Sequence, residues 1–164
     1  MKSAKKKLSS ARIKEVSMGF WPAKTLLSAV ELGLFTTLGA NSMTADKLRD
    51  ALGLHRRAVP DFFDALVALR FLDRDGDGPE ALYRNTEETR LFLDRNSPEY
   101  MGGFLEMANA RLYRFWGDLT EALRTGNQDW QPLSNPNRLM ITIHKHVIHI
   151  PRKFGHVAYR LFFV

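Results

Sequence analysis

Apolar residues recur along this chain at three- and four-residue steps, interrupted at a few points by glycine and proline. Between Ala11 and Leu38, the positions Ile13, Val16, Phe20, Leu26, Leu27, Val30, Leu34 and Leu38 fall mostly on that spacing, which predicts a buried helical face. Pro22 should kink this region or start a second helix, and Gly33 and Gly39 allow a break and a stop. The segment "SMTADKLRDALGL" offers Ser42 or Thr44 as a helix cap, sets Leu48, Ala51 and Leu52 on one face and ends on Gly53. After the turn "GLHRR", a strongly apolar helix is predicted from about Arg57 to Leu69, with Val59, Phe62, Phe63, Leu66 and Leu69 turned inward and Pro60 in its first turn. Two helices joined by a tight glycine turn make a helix-turn-helix. "FLDRDGDG" and "ALYRNT" then read as two short strands around a polar loop, the wing of a winged helix. A helix over Thr86 to Leu93 leads to a long one from about Pro98 to Arg124, carrying Met101, Phe104, Leu105, Ala108, Leu112, Phe115, Leu119 and Leu123 at helical spacing. The predicted fold is mainly α: a winged helix-turn-helix with a small β-hairpin wing and additional N- and C-terminal helices.

The ends differ from this middle. Of 24 basic groups, six lie in residues 1–14 (Lys2, Lys5, Lys6, Lys7, Arg12, Lys14) and five follow Asn127, leaving 13 between; of 18 acidic groups, Asp129 alone follows Asn127, leaving 17. The formal net charge of +6 therefore belongs to the two ends, and the middle is acidic. Beyond Asn127 the sequence holds three prolines and four of the five histidines, with no clear period except the alternation in "LMITIHKHVIHI". Three regions follow: a basic solvated tail over 1–14, a winged-helix domain over 15–127, and a tail over 128–164 that is disordered or aberrant. With 164 residues there is room for one ordinary domain plus extensions. No apolar stretch reaches the length of a membrane span, and the lysine-rich start lacks a secretory apolar core, so a cytoplasmic protein is expected.

Several chemistries fall away on residue type. There are no cysteines, which removes disulfides, thiolate zinc sites and cysteine nucleophiles. "DRDGDG" supplies Asp73, Asp75, Asp77 and Gly78 at the first, third, fifth and sixth positions of a calcium loop, but Arg84 stands where the bidentate glutamate is required. His144, His146 and His149 share a strand pattern, yet no carboxylate or thiol after Asp129 completes a ligand set, so no metal site is expected. The outward face of the second helix of the helix-turn-helix should carry Arg57, Asp61, Asp64, Ala65 and Ala68. Two carboxylates facing phosphates argue against reading of DNA. Arg56, Arg57 and Arg74 keep a DNA-binding transcriptional regulator as the alternative, with phosphate contacts from the basic ends.

The stretches "GFWPAKTLLSAVELGLFTTL", "TADKLRDALGLHRRAVPDFFDALVALRFLDRDGDGPEALYRNT" and "YMGGFLEMANARLYRFWGDLTEALRTG" together resemble the N-terminal dimerisation domain of S-adenosylmethionine-dependent O-methyltransferases that act on small aromatic or polyketide-like molecules. The resemblance runs from about Val16 to Gly126. It implies a winged helix that has given up DNA reading and become an intertwined homodimer interface, with Phe20, Trp21, Phe104 and Phe115 in that interface. It also implies that Met107, Asn109, Arg111 and Trp116 line the substrate pocket, that Trp21 reaches toward the partner subunit's pocket, and that the full-length family uses S-adenosylmethionine. Core packing is the competing role for each of these side chains. The family's catalytic half, with its glycine-rich methyl-donor loop, should follow Gly126. Only 38 residues do, with Gly155 as their sole glycine. The expectation is a truncated or frame-shifted product with no catalytic and no cofactor-binding residue of its own, inactive by itself, with no specific nucleic-acid or membrane partner.

Overall fold

The computed structural model describes residues 8–125. Lys2 and Lys5–Lys7, the histidines His144, His146 and His149, and the whole segment 128–164 lie outside the described residues. Two compact units divide the chain after Gly117. In the first, the elements are α1 (Ala11–Met18), α2 (Phe20–Glu31), α3 (Leu34–Leu38), β1 (Ser42–Thr44), α4 (Ala45–Leu52), α5 (Val59–Ala68), β2 (Leu72–Asp75), β3 (Leu82–Asn85), α6 (Glu87–Phe92), α7 (Gly102–Met107) and α8 (Tyr113–Gly117). The second begins with α9 (Leu119–Thr125). The fold is mainly helical with one small antiparallel sheet, ordered β1-β3-β2.

Local chemistry explains most boundaries. Pro22 is accommodated in the first turn of a second helix, α2. Gly33 closes α2 in the left-handed region at φ 70°, and Gly39 stops α3 at φ 53°, ψ −124°, a conformation that excludes a Cβ. The Thr44 hydroxyl caps α4 by accepting from the Lys47 amide, and Gly53, at φ 63°, terminates it. Thr86 caps α6 in the same way through the Thr89 amide. At the end of α5 no glycine is present. Arg70 takes φ 62° instead, while its amide donates to Val67 O and that of Phe71 to Leu66 O, both at 2.9 Å, closing a Schellman turn. A side chain in this region is strained, so Arg70→Gly is expected to raise stability by up to about 1 kcal/mol, read as a higher urea midpoint.

The core gathers Leu34, Phe35, Leu38, Leu48, Phe63, Leu66 and Leu72, all fully buried. They come from α3, α4, α5 and the start of β2, so the hairpin β2–β3 is anchored on the helices rather than free. One polar group crosses this core. Asn85, at the end of β3, donates its side-chain amide to Phe35 O at 2.8 Å and Gly39 O at 2.9 Å, tying β3 to the C-terminal end of α3, where Phe35 O also accepts from the Gly39 amide at 3.0 Å. Asn85→Ala removes both bonds and leaves Gly39 O without its side-chain donor, an expected loss of about 1–3 kcal/mol, measurable by urea unfolding.

Four expectations need correction. β1 was not foreseen: Ser42 pairs with Arg84 as a strand residue, and Thr44 alone does the capping. The helix expected from Pro98 begins only at Gly102, loses its α geometry over Ala108–Leu112 in a π-helical turn, and is interrupted between Gly117 and Leu119. Asp64 is not on an open outward face but half-buried, accepting from Tyr83 Oη at 2.8 Å and Arg74 Nη1 at 3.2 Å. Finally, Ile13, Val16 and Phe20 do not form a buried face: α1 has no buried residue, and Phe20 at the start of α2 is exposed.

Candidate functional site

The exposed apolar face begins in α1. Ile13 is 73% exposed, Val16 74% and Trp21 62%, with Met18 and Phe20 also open. Ile13, Val16 and Phe20 follow one another at three- and four-residue steps with Trp21 adjacent to Phe20, and such an exposed apolar stripe normally packs on something. The rings of Phe20 and Trp21 meet edge to face at 5.3 Å and 61°, a favourable aromatic pairing worth about 0.5–1.5 kcal/mol. Of the other residues expected at an interface, Phe104 is half-buried in α7. Phe115 lies in α8, with its side chain outside what is described.

The residues expected to line a pocket cluster around the π turn. Met107 ends α7, Asn109 and Arg111 lie inside the turn, and Trp116 follows in α8, 44% exposed. Met107 and Arg111 are half-buried. A π turn inserts one residue into an α-helix and is frequent at functional sites, a pointer independent of any resemblance. Asn109 is buried and already engaged: its Oδ1 accepts from Lys24 Nζ, and its Nδ2 donates to Glu31 Oε2. Lys24 also sits over the Tyr113 ring, 5.4 Å from the centroid. Lys24 and Glu31 were missed from the sequence because nothing in the spacing of α2 says which polar residues face another helix.

Beside this region, Arg95 closes the loop after α6. It binds Glu106 Oε1 through Nη2 at 2.5 Å and Nε at 3.2 Å, and Tyr100 Oη donates to the same oxygen at 3.0 Å. Gly102 is needed here because a Cβ would overlap the Tyr100 ring. The Arg95 hydrogen bond, opposed by partial burial and helped by Tyr100, holds the Glu106 carboxyl below its ordinary range. Burial comes first in pushing the Tyr100 hydroxyl up. A carboxyl with a lowered folded-state value contributes stability above its unfolded value and loses it as pH falls through the folded one. Wild type should therefore exceed Glu106→Gln in stability at neutral pH, and that advantage should shrink as the pH drops below 4.5, as read by urea unfolding at a series of pH values.

The α5 face that would meet a nucleic acid retains an exposed Asp61. Arg74 is held by Asp64 and lies over the Tyr83 ring at 5.6 Å. In the aspartate-rich hairpin, Arg84 is the cross-strand partner of Asp73 and pairs with it at 3.4 Å, so the residue that spoils the calcium pattern also neutralises its first ligand. Among the described residues no helix is long and apolar enough to cross a membrane.

Known proteins give the same outline. The pattern of the O-methyltransferase dimerisation domain matches residues 14–95. The tetracenomycin polyketide synthesis 8-O-methyl transferase of Streptomyces glaucescens is 43% identical over 116 residues, covering 71% of this chain and 33% of its own length. An N,N-dimethyltransferase of Streptomyces rimosus is 38% identical over 112 residues, 68% of this chain and 31% of the relative. Among solved structures, human N-acetylserotonin methyltransferase in complex with SAM superposes with a TM-score of 0.69 at 26% identity, over 88% of this chain and 43% of that one. The chain thus spans about a third of the length of the relatives it matches.

Proposed function

Because the chain belongs to the O-methyltransferase dimerisation-domain family, we propose that its helices and β2–β3 hairpin, as a winged helix, form one half of an intertwined homodimer. In the same reading, the segment from Met107 to Trp116 closes the pocket of a methyl-transferring domain for small aromatic or polyketide-like molecules. The observation that carries this reading is the uncovered stripe of Ile13, Val16, Phe20 and Trp21. Its aromatics supply most of the buried area when a second copy covers them. S-adenosylmethionine is the methyl donor in this reading and binds the catalytic domain. By itself the dimerisation domain binds no donor and transfers no methyl group.

The chain has no cysteine, so one introduced thiol reports cleanly. A spin label on Ser17→Cys should show a defined label-to-label distance between two copies. The absence of any dipolar coupling at high protein concentration would remove the homodimer. Calorimetric titration with S-adenosylmethionine should give no saturable heat, and saturable binding would overturn the assignment of donor binding to the catalytic domain.

A further inference from the structure

The bridge from α2 to the π turn has a geometry that packing alone does not require. Asn109 is 7% exposed and spends both halves of its amide on one helix, its oxygen on Lys24 and its nitrogen on Glu31. Lys24 and Glu31 stand two helical turns apart and so present to the same side of α2. Only a side chain with both an acceptor and a donor can join an ammonium to a carboxylate in this way. Two further contacts fall one residue beyond the turn: Lys24 lies over the Tyr113 ring, and Tyr113 Oη donates to Phe20 O at 3.4 Å. The Tyr113 amide donates to Ala108 O, five residues back, which is the π pairing. In an α-helix it would donate to Asn109 O, four back.

A π turn is disfavoured relative to α and persists where its surroundings hold it. Resting on the pocket-closing role proposed above, we infer that Lys24 and Glu31 are positioning residues which, through Asn109, lock Ala108–Leu112 in the π register and thereby set the direction in which Arg111 and Trp116 are offered to the substrate. Relaxation to α would shift the register by one residue, a rotation of about 100° about the helix axis at 3.6 residues per turn. The same helix carries Phe20 and Trp21, so the register is fixed from the element that bears the apolar stripe.

The test is the through-hydrogen-bond NMR coupling from the Tyr113 amide nitrogen in the isotope-labelled full chain. Wild type should couple to the Ala108 carbonyl carbon. Asn109→Ala, and the double variant Lys24→Met with Glu31→Ala, should lose that coupling and gain one to the carbonyl at position 109. Glu31→Gln retains an acceptor for Asn109 Nδ2 and should keep the Ala108 coupling. If Asn109→Ala does not fold, the double variant decides, since Glu31 is exposed and Lys24 half-exposed. A folded double variant that retains the Ala108 coupling overturns the inference. The readout involves neither a second copy nor a substrate, so its failure is distinguishable from failure of the pocket-closing reading.

Discussion

Replacing Phe20 and Trp21 together by alanine is expected to weaken self-association of the chain by at least about a thousandfold. A fully covered aromatic contributes roughly 1.5–3 kcal/mol. Both rings are already partly shielded by their own protomer, which reduces the gain, but each occurs twice in a twofold assembly. Even a yield of about 1 kcal/mol per ring leaves roughly 4 kcal/mol, and every 1.4 kcal/mol is tenfold in the association constant. Both residues lie outside the core cluster, so the variant should keep the helical circular dichroism of wild type while a light-scattering dilution series shows monomers. A variant that associates as tightly as wild type would move the interface elsewhere.

The second large effect lies in the protomer itself. Phe63→Ala should cost about 3–5 kcal/mol, the range for emptying an aromatic site in a core that cannot collapse around it. Phe63 is fully buried and meets Phe62 at 5.8 Å and Tyr83 at 5.5 Å between ring centroids. It thus joins α5 to β3, and through Tyr83 Oη to Asp64. Loss of the ring leaves the Tyr83 hydroxyl bond but removes the wall that orients it. Against a typical domain stability of about 5–15 kcal/mol, this change should lower the urea midpoint strongly. The neighbouring Phe62→Ala, at a half-buried position, should lower it clearly less. Equal effects at the two positions would mean that α5 packs the other way round.

The parts of the fold visible in the sequence were those with local causes. Gly53 and the Gly33–Gly39 pair act on neighbours within four residues and could be read directly, as could the cap of α4, as Ser42 or Thr44. The failures share a non-local cause. β1 is three residues long and exists because β3 pairs with it, and a segment of that length carries no period of its own. Asp64 was assigned to solvent because its partners, Arg74 and Tyr83, come from the hairpin ten and nineteen residues away. The helical period of Ile13, Val16 and Phe20 was real, but period cannot say whether a face packs inside the protomer or against another molecule.

The candidate site divides along the same line. The family resemblance pointed to Met107, Asn109, Arg111 and Trp116, and these residues do share one short segment of the chain, around a π turn. The turn itself could not be foreseen, since "ANARL" has ordinary helical composition apart from Asn109. Its stabilising partners sit on α2, 85 and 78 residues earlier. Such a partnership exists only after the core has brought α2 and α7 together.

Sedimentation equilibrium of the wild-type chain over a wide concentration range tests the central claim most directly. The uncovered stripe on α1 and α2 predicts a species of twice the 18.8 kDa chain mass, persisting on dilution into the micromolar range. A folded species of single-chain mass at every concentration would contradict it, because the stripe would then face water in the native state.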